Sequence, residues 1–197
     1  MREILPVANH LAREYIYSLD TKKRQHIEDI RAQKVMGVRP RPSDKLIDRS
    51  ESLDARSRAE ILNRVAMLVD ENIFGRSEMC EQFADLLRRS LNHFGLKARG
   101  IAGTAVYYSS GKEIFRWGHA WVIVGGEVID GNIDTLPENP FAPPNISIDP
   151  FWGAAGLIPK DRKLLVDPKR VFRTNDIDVL NIWWPELKDW LDKTIKR

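Results

Sequence analysis

The sequence predicts an α+β fold in which helices pack on a small antiparallel sheet. Three observations lead there. Residues 56–73 and 78–94 carry apolar side chains at helical spacing. After Gly95 the period changes, and residues 97–108 and 114–124 read as strands. Gly125-Gly126, between Val124 and Glu127, is a two-residue hairpin signal.

The totals fit this class. A chain of 197 residues, 43% hydrophobic and 30% charged, has the composition of a globular protein. Its length suits one core with an extension, divided as a helical segment over 1–55 and a core over 56–197. A single cysteine makes no internal disulfide. No apolar run is long enough to span a membrane, and the N-terminus lacks a basic-then-apolar leader pattern, so a cytoplasmic protein without membrane contact is expected. The net charge is +3. The clusters Lys22-Lys23-Arg24 and Arg39-Pro40-Arg41-Pro42 are short and interleaved with acids, which fits solvated surface better than a nucleic-acid stripe.

Residues 4–19 suit a helix through Leu11, Tyr15, Ile16 and Leu19, and 21–35 a second one through Ile27 and Ile30. Two prolines in four residues over Arg39–Pro42 predict a surface connection across Met36–Ser52. The helix over 56–73 buries Ile61, Leu62, Val65, Leu68 and Val69. The helix over 78–94 buries Phe83, Leu86, Leu87, Leu91 and Phe94. Gly95 follows as its C′ residue, and His93 reads as a helix-end cation. Ser109–Lys112 is a turn, and Glu127–Asp130 starts a third strand. Six prolines between 131 and 160 predict a long ordered loop, and a last helix begins at Pro185.

The chemistry centres on Cys80, the only cysteine. With Ser77 as N-cap, Cys80 takes the third helical position, where unpaired amides and the helix dipole favour a negative group. If Gly125-Gly126 form the loop, Val124 pairs with Glu127, which sets Trp121 opposite Asp130 and His119 opposite Asn132. Strand side chains alternate, so His119, Trp121, Asp130 and Asn132 share one face. Asp130 is then a diagonal neighbour of His119, within reach of a polar side chain. Thiol, imidazole and carboxylate are the parts of an activated nucleophile. Trp121 and Asn132 are the substrate-binding candidates. The remaining acids and histidines lack metal-ligand spacing. Asp130–Asp134 opens like a calcium loop but has Thr135 and Phe141 where glycine and glutamate belong. No metal or cofactor is expected.

Cys80-Glu81-Gln82-Phe83-Ala84-Asp85-Leu86-Leu87, Gly95-Leu96-Lys97-Ala98-Arg99, Gly118-His119-Ala120-Trp121-Val122 and Val128-Ile129-Asp130 together resemble the transglutaminase-like superfamily, relatives of papain-type cysteine enzymes. The resemblance covers roughly 60–132. It implies a Cys80–His119–Asp130 triad and acyl transfer on amide or ester bonds through a thioester, with a peptide or protein as substrate. Asn72 is the upstream amide side chain open to an oxyanion role. A non-catalytic binding or structural module of the same fold is the alternative.

Overall fold

The computed structural model describes residues 41–71, 76–139, 142–143 and 146–195, with Val38, Arg39 and scattered positions between 21 and 36. The helix expected over 4–19, and Ile27, Ile30, Asn72 and Gly75, lie outside the described residues. The fold is mixed α+β. Its sheet has six strands in the order β1-β5-β4-β3-β2-β6. These are β1 Ile47–Arg49, β2 Arg99–Ser109, β3 Lys112–Val124, β4 Glu127–Asp130, β5 Phe151–Ala154 and β6 Arg162–Val166. Among the described residues from 41 onward the α-helices are α1 Ala55–Asp70, α2 Cys80–His93 and α3 Trp184–Thr194, the last entered through a π-helical turn Val179–Trp183. No helix among the described residues is long and apolar enough to cross a membrane.

The helices predicted over 56–73 and 78–94 form as α1 and α2 on the predicted apolar stripes. Asp54 caps α1, its carboxylate accepting from the Ser57 amide at 2.9 Å. Ile61, Leu62, Val65, Leu68 and Val69 make one fully buried stripe. In α2 the buried face is Phe83, Leu86, Leu87 and Leu91. Gly95 closes the helix at φ +81, with the Leu96 amide donating to the Leu91 carbonyl at 3.1 Å.

The sheet is larger than expected, and it is mixed, because β1 runs parallel to β5. Residues 47–49, expected in a surface connection, form an edge strand. Phe151–Ala154 pairs with β4 from within the predicted loop. Pro150 immediately precedes that strand, a place where proline removes no ladder hydrogen bond. Arg39, expected as solvated surface, is buried at its side chain and pairs with Asp70 at 2.6 Å and with Glu138.

Alternation assigns the two sheet faces. Ala120, Val122, Val124, Ile129 and Trp152 pack with the helices. Trp121, Val128 and Phe151 pack on the other side. Further along that second side, Ala105 and Tyr107 meet Ile133, Leu136 and Ile146 from the chain that follows β4.

The β3–β4 hairpin sets the register between those two strands. Gly125 and Gly126 have φ +55 and +87, the left-handed pair that a two-residue primed turn requires. Val124 pairs with Glu127, Ile123 with Val128 and Val122 with Ile129. Replacing Gly126 by valine forces a branched side chain into the left-handed region. Gly126→Val should therefore cost about 1–2 kcal/mol in urea unfolding, whereas Gly125→Asn should be close to neutral.

Candidate active site

Cys80 is the first residue of α2, not the third. Arg76–Glu78 form a separate 3-10 turn, closed by the Met79 amide donating to the Arg76 carbonyl at 3.0 Å. The α-helix therefore starts later than Ser77 predicts, with Met79 in the N-cap position and no side-chain cap. The first intrahelical bond runs from Phe83 to the Met79 carbonyl, so the amides of Cys80, Glu81 and Gln82 have no partner within the helix.

The hairpin delivers the other two groups. Continuing its register one step places Asp130 level with Trp121, and Asp130 pairs on its other side with Phe151. His119 Nε2 meets Asp130 Oδ1 at 2.7 Å, and both residues are buried. Cys80 lines the same small cavity as this imidazole, and its sulfur helps raise the basicity of the ring. Because Nε2 is taken by the carboxylate, Nδ1 is the nitrogen left for sulfur. His119 lies on the sheet face away from the helices, yet α2 reaches it. It can do so because β4 stops at Asp130, leaving β3 without a neighbour on that side at the level of His119.

Trp121 and Asn132, the substrate-binding candidates, both sit beside this cluster. Trp121 is buried, its ring stacked on the His119 ring with centroids 6.3 Å apart, and it packs against Val128 and Phe151. It supports the imidazole from behind and lines neither cavity next to Cys80. Asn132 falls beyond the end of β4, so it is not a strand partner of His119. It precedes a 3-10 helix, Ile133–Glu138, and its Nδ2 donates to the Arg76 carbonyl at 2.7 Å.

Three residues of the site carried no sequence signal. Arg162, inside the charged run Lys160–Lys163, is fully buried at its side chain. Its Nη1 lies 3.2 Å from Asp130 Oδ2, and its Nη2 donates to the Asp149 carbonyl at 2.7 Å. Arg76 forms a fork on Asp134, at 2.9 and 3.0 Å, while its Nε donates to Asp70 at 3.0 Å. Arg39 joins the same group through Asp70 and Glu138. These ion pairs tie the end of α1, the turn before Cys80 and the segment after Asn132 into one unit. Tyr107, buried on β2, is the third.

Cys80 stands between two cavities. The larger is a cleft of about 680 Å3 bounded by Glu78, Glu81, Gln82, Lys169, Arg170 and Arg173. Arg170 braces it, with Nη2 on Glu81 at 2.6 Å and Nη1 on the Gly103 carbonyl at 3.2 Å. Gly118 lets that guanidinium pass, since a Cβ there would lie 2.9 Å from Nη1. The smaller cavity, about 10 Å3, is bounded by Tyr107, Trp117, His119, Asn132 and Leu136. Among the described residues no group of three or more His, Cys, Asp or Glu is placed to hold a metal ion.

The electrostatics follow from burial and contact. Burial opposes a charge on His119, but the Asp130 carboxylate, its hydrogen bond and Cys80 overcome this and raise the imidazole to about 10. Burial also pushes the Asp130 carboxyl up, yet His119 and Arg162 hold it below its ordinary value. The arrangement can store a proton on a fixed imidazole near a thiol.

These shifts predict a stability profile. A raised His119 stabilises the fold fully below its unfolded value of 6.5, and that contribution is lost as pH rises through about 10. A depressed Asp130 stabilises it above 3.8, and this is lost as pH falls through the lower folded value. Urea midpoints should therefore decline from neutral pH toward pH 10, and His119→Ala should flatten that alkaline decline. No protein-family model matches the chain, and no match was found among curated proteins or solved structures.

Proposed function

We propose that this chain is a cysteine-dependent acyl-transfer enzyme of the transglutaminase-like type. The observation that carries the reading is His119, bonded through Nε2 to Asp130 at 2.7 Å, with Cys80 lining the same small cavity. Cys80 is the nucleophile, His119 the base and then the acid, and Asp130 the group that holds the ring and its charge. Arg162 keeps Asp130 ionised and in place.

The acyl donor is an amide or ester of a peptide or protein, entering through the cleft between α2 and residues 169–176. The sulfur attacks the carbonyl carbon while the proton resides on His119. The amides at the start of α2, which have no partner within the helix, are the donors proposed for the developing oxyanion. His119 gives its proton to the leaving amine or alcohol, and a thioester remains on Cys80. A water or an amine then takes the acyl group, and sulfur is released.

A second reading, a binding or structural module of the same fold, is favoured by one observation: Cys80 is only 9% exposed. Alkylation separates the two. As an enzyme, the wild-type chain should react with iodoacetamide at Cys80 at neutral pH, and His119→Ala should slow that reaction by roughly a hundredfold. Equal labelling rates in both chains would favour the module.

A further inference from the structure

Two polar atoms beside the sulfur have no hydrogen-bond partner among the described residues: the Tyr107 hydroxyl and Asn132 Oδ1. Tyr107 is 1% exposed and Asn132 5%, so bulk solvent does not satisfy them. Both residues line the small cavity, together with Cys80, Trp117, His119, Thr135 and Leu136. Buried polar atoms are normally paired, and an unpaired one is destabilising. Two of them facing one cavity point to a ligand that pairs with both.

The chemistry of that ligand is restricted. An amide oxygen only accepts, so the ligand must donate to Asn132. The amide cannot be turned around without cost, because its nitrogen already donates to the Arg76 carbonyl at 2.7 Å. A flipped amide would set oxygen against oxygen. The Tyr107 hydroxyl can donate in turn, which suits a ligand oxygen. A carbonyl oxygen satisfies Tyr107 but not Asn132, whereas a water satisfies both. A volume of about 10 Å3 is that of roughly one water site.

We infer that this cavity seats the water that hydrolyses an acyl group carried on Cys80, held by Tyr107 and Asn132 and deprotonated by His119. The inference rests on Cys80 being the nucleophile, and it adds the identity of the acceptor. In the first step the leaving group has taken the imidazole proton, so His119 is neutral when the thioester has formed. The water oxygen bonds to the thioester carbonyl carbon and its proton passes to His119 Nδ1. The intermediate collapses, the carbon–sulfur bond breaks, and its electron pair returns to sulfur. A carboxylic acid leaves. An amine with a carbon substituent has no room there, because Ile133, Thr135 and Leu136 wall the cavity. Within this cavity the acceptor is therefore water, while the leaving amine or alcohol of the first step departs through the larger cleft.

The test uses the full chain with p-nitrophenyl acetate as acyl donor and methylamine as competing acceptor. The wild type should give a burst of p-nitrophenol, then slower turnover, and no N-methylacetamide. Tyr107→Phe should keep the burst, slow the later turnover by about tenfold or more, and accumulate an acetyl adduct on Cys80 by mass spectrometry. Leu136→Ala, which opens the cavity wall, should let methylamine compete. Unchanged turnover in Tyr107→Phe would overturn the inference, as would wild-type transfer to methylamine at a rate matching hydrolysis. Continued exclusion of methylamine by Leu136→Ala would also count against it. A wild type that forms no adduct on Cys80 would instead remove the nucleophile reading on which the inference stands.

Discussion

The contact on which this site depends is the buried hydrogen bond between His119 and Asp130. Neither group would remain charged in this position alone, because burial disfavours each ion. Together, with Arg162 behind the carboxylate, they stabilise one another. Breaking such a buried group by removing one partner leaves an uncompensated charge. The surrounding fold therefore has to hold all three strictly in place. The hairpin turn does this for His119 and Asp130, and the pairing of β6 with β2 brings in Arg162.

A second buried cluster performs the same service for the sulfur. Arg76 lies four residues before Cys80 and is fully buried, clamped by Asp70 at the end of α1 and by Asp134 after β4. Its carbonyl also holds the Asn132 amide. The start of α2 thus has no side-chain cap of its own, but is positioned by ion pairs to two distant segments. Such a start is less local than a Ser or Asp cap, and it couples the position of Cys80 to the chain that closes over Tyr107 and His119.

Much of this architecture was legible in the residues. The apolar stripes of α1 and α2, Gly95 as helix terminator and Gly125-Gly126 as a tight turn all act over a few neighbouring positions, where local sterics and periodicity decide the outcome. The parity that puts His119 and Asp130 on one face follows from the same turn. The short strands β1, β5 and β6 were not legible. Each has three to five residues, and each forms only because a neighbouring strand offers a partner. The start of α2 was misplaced for a related reason: Ser77 has the right side chain for a cap, but the 3-10 turn over Arg76–Glu78 takes its place.

The sequence by itself determined the apolar faces of α1 and α2, the hairpin register and the order cysteine, histidine, aspartate, because these rest on spacing and on the backbone preferences of single residues. The tertiary structure alone decided that Arg162 stands behind Asp130, that Arg39 and Arg76 are buried, and that Trp121 backs the imidazole. It also decided that Tyr107 and Asn132 face a water-sized cavity. An arginine or tyrosine reads the same in sequence whether it meets solvent or a buried partner. Only long-range packing chooses between these environments, and it is the environment that gives each side chain its role.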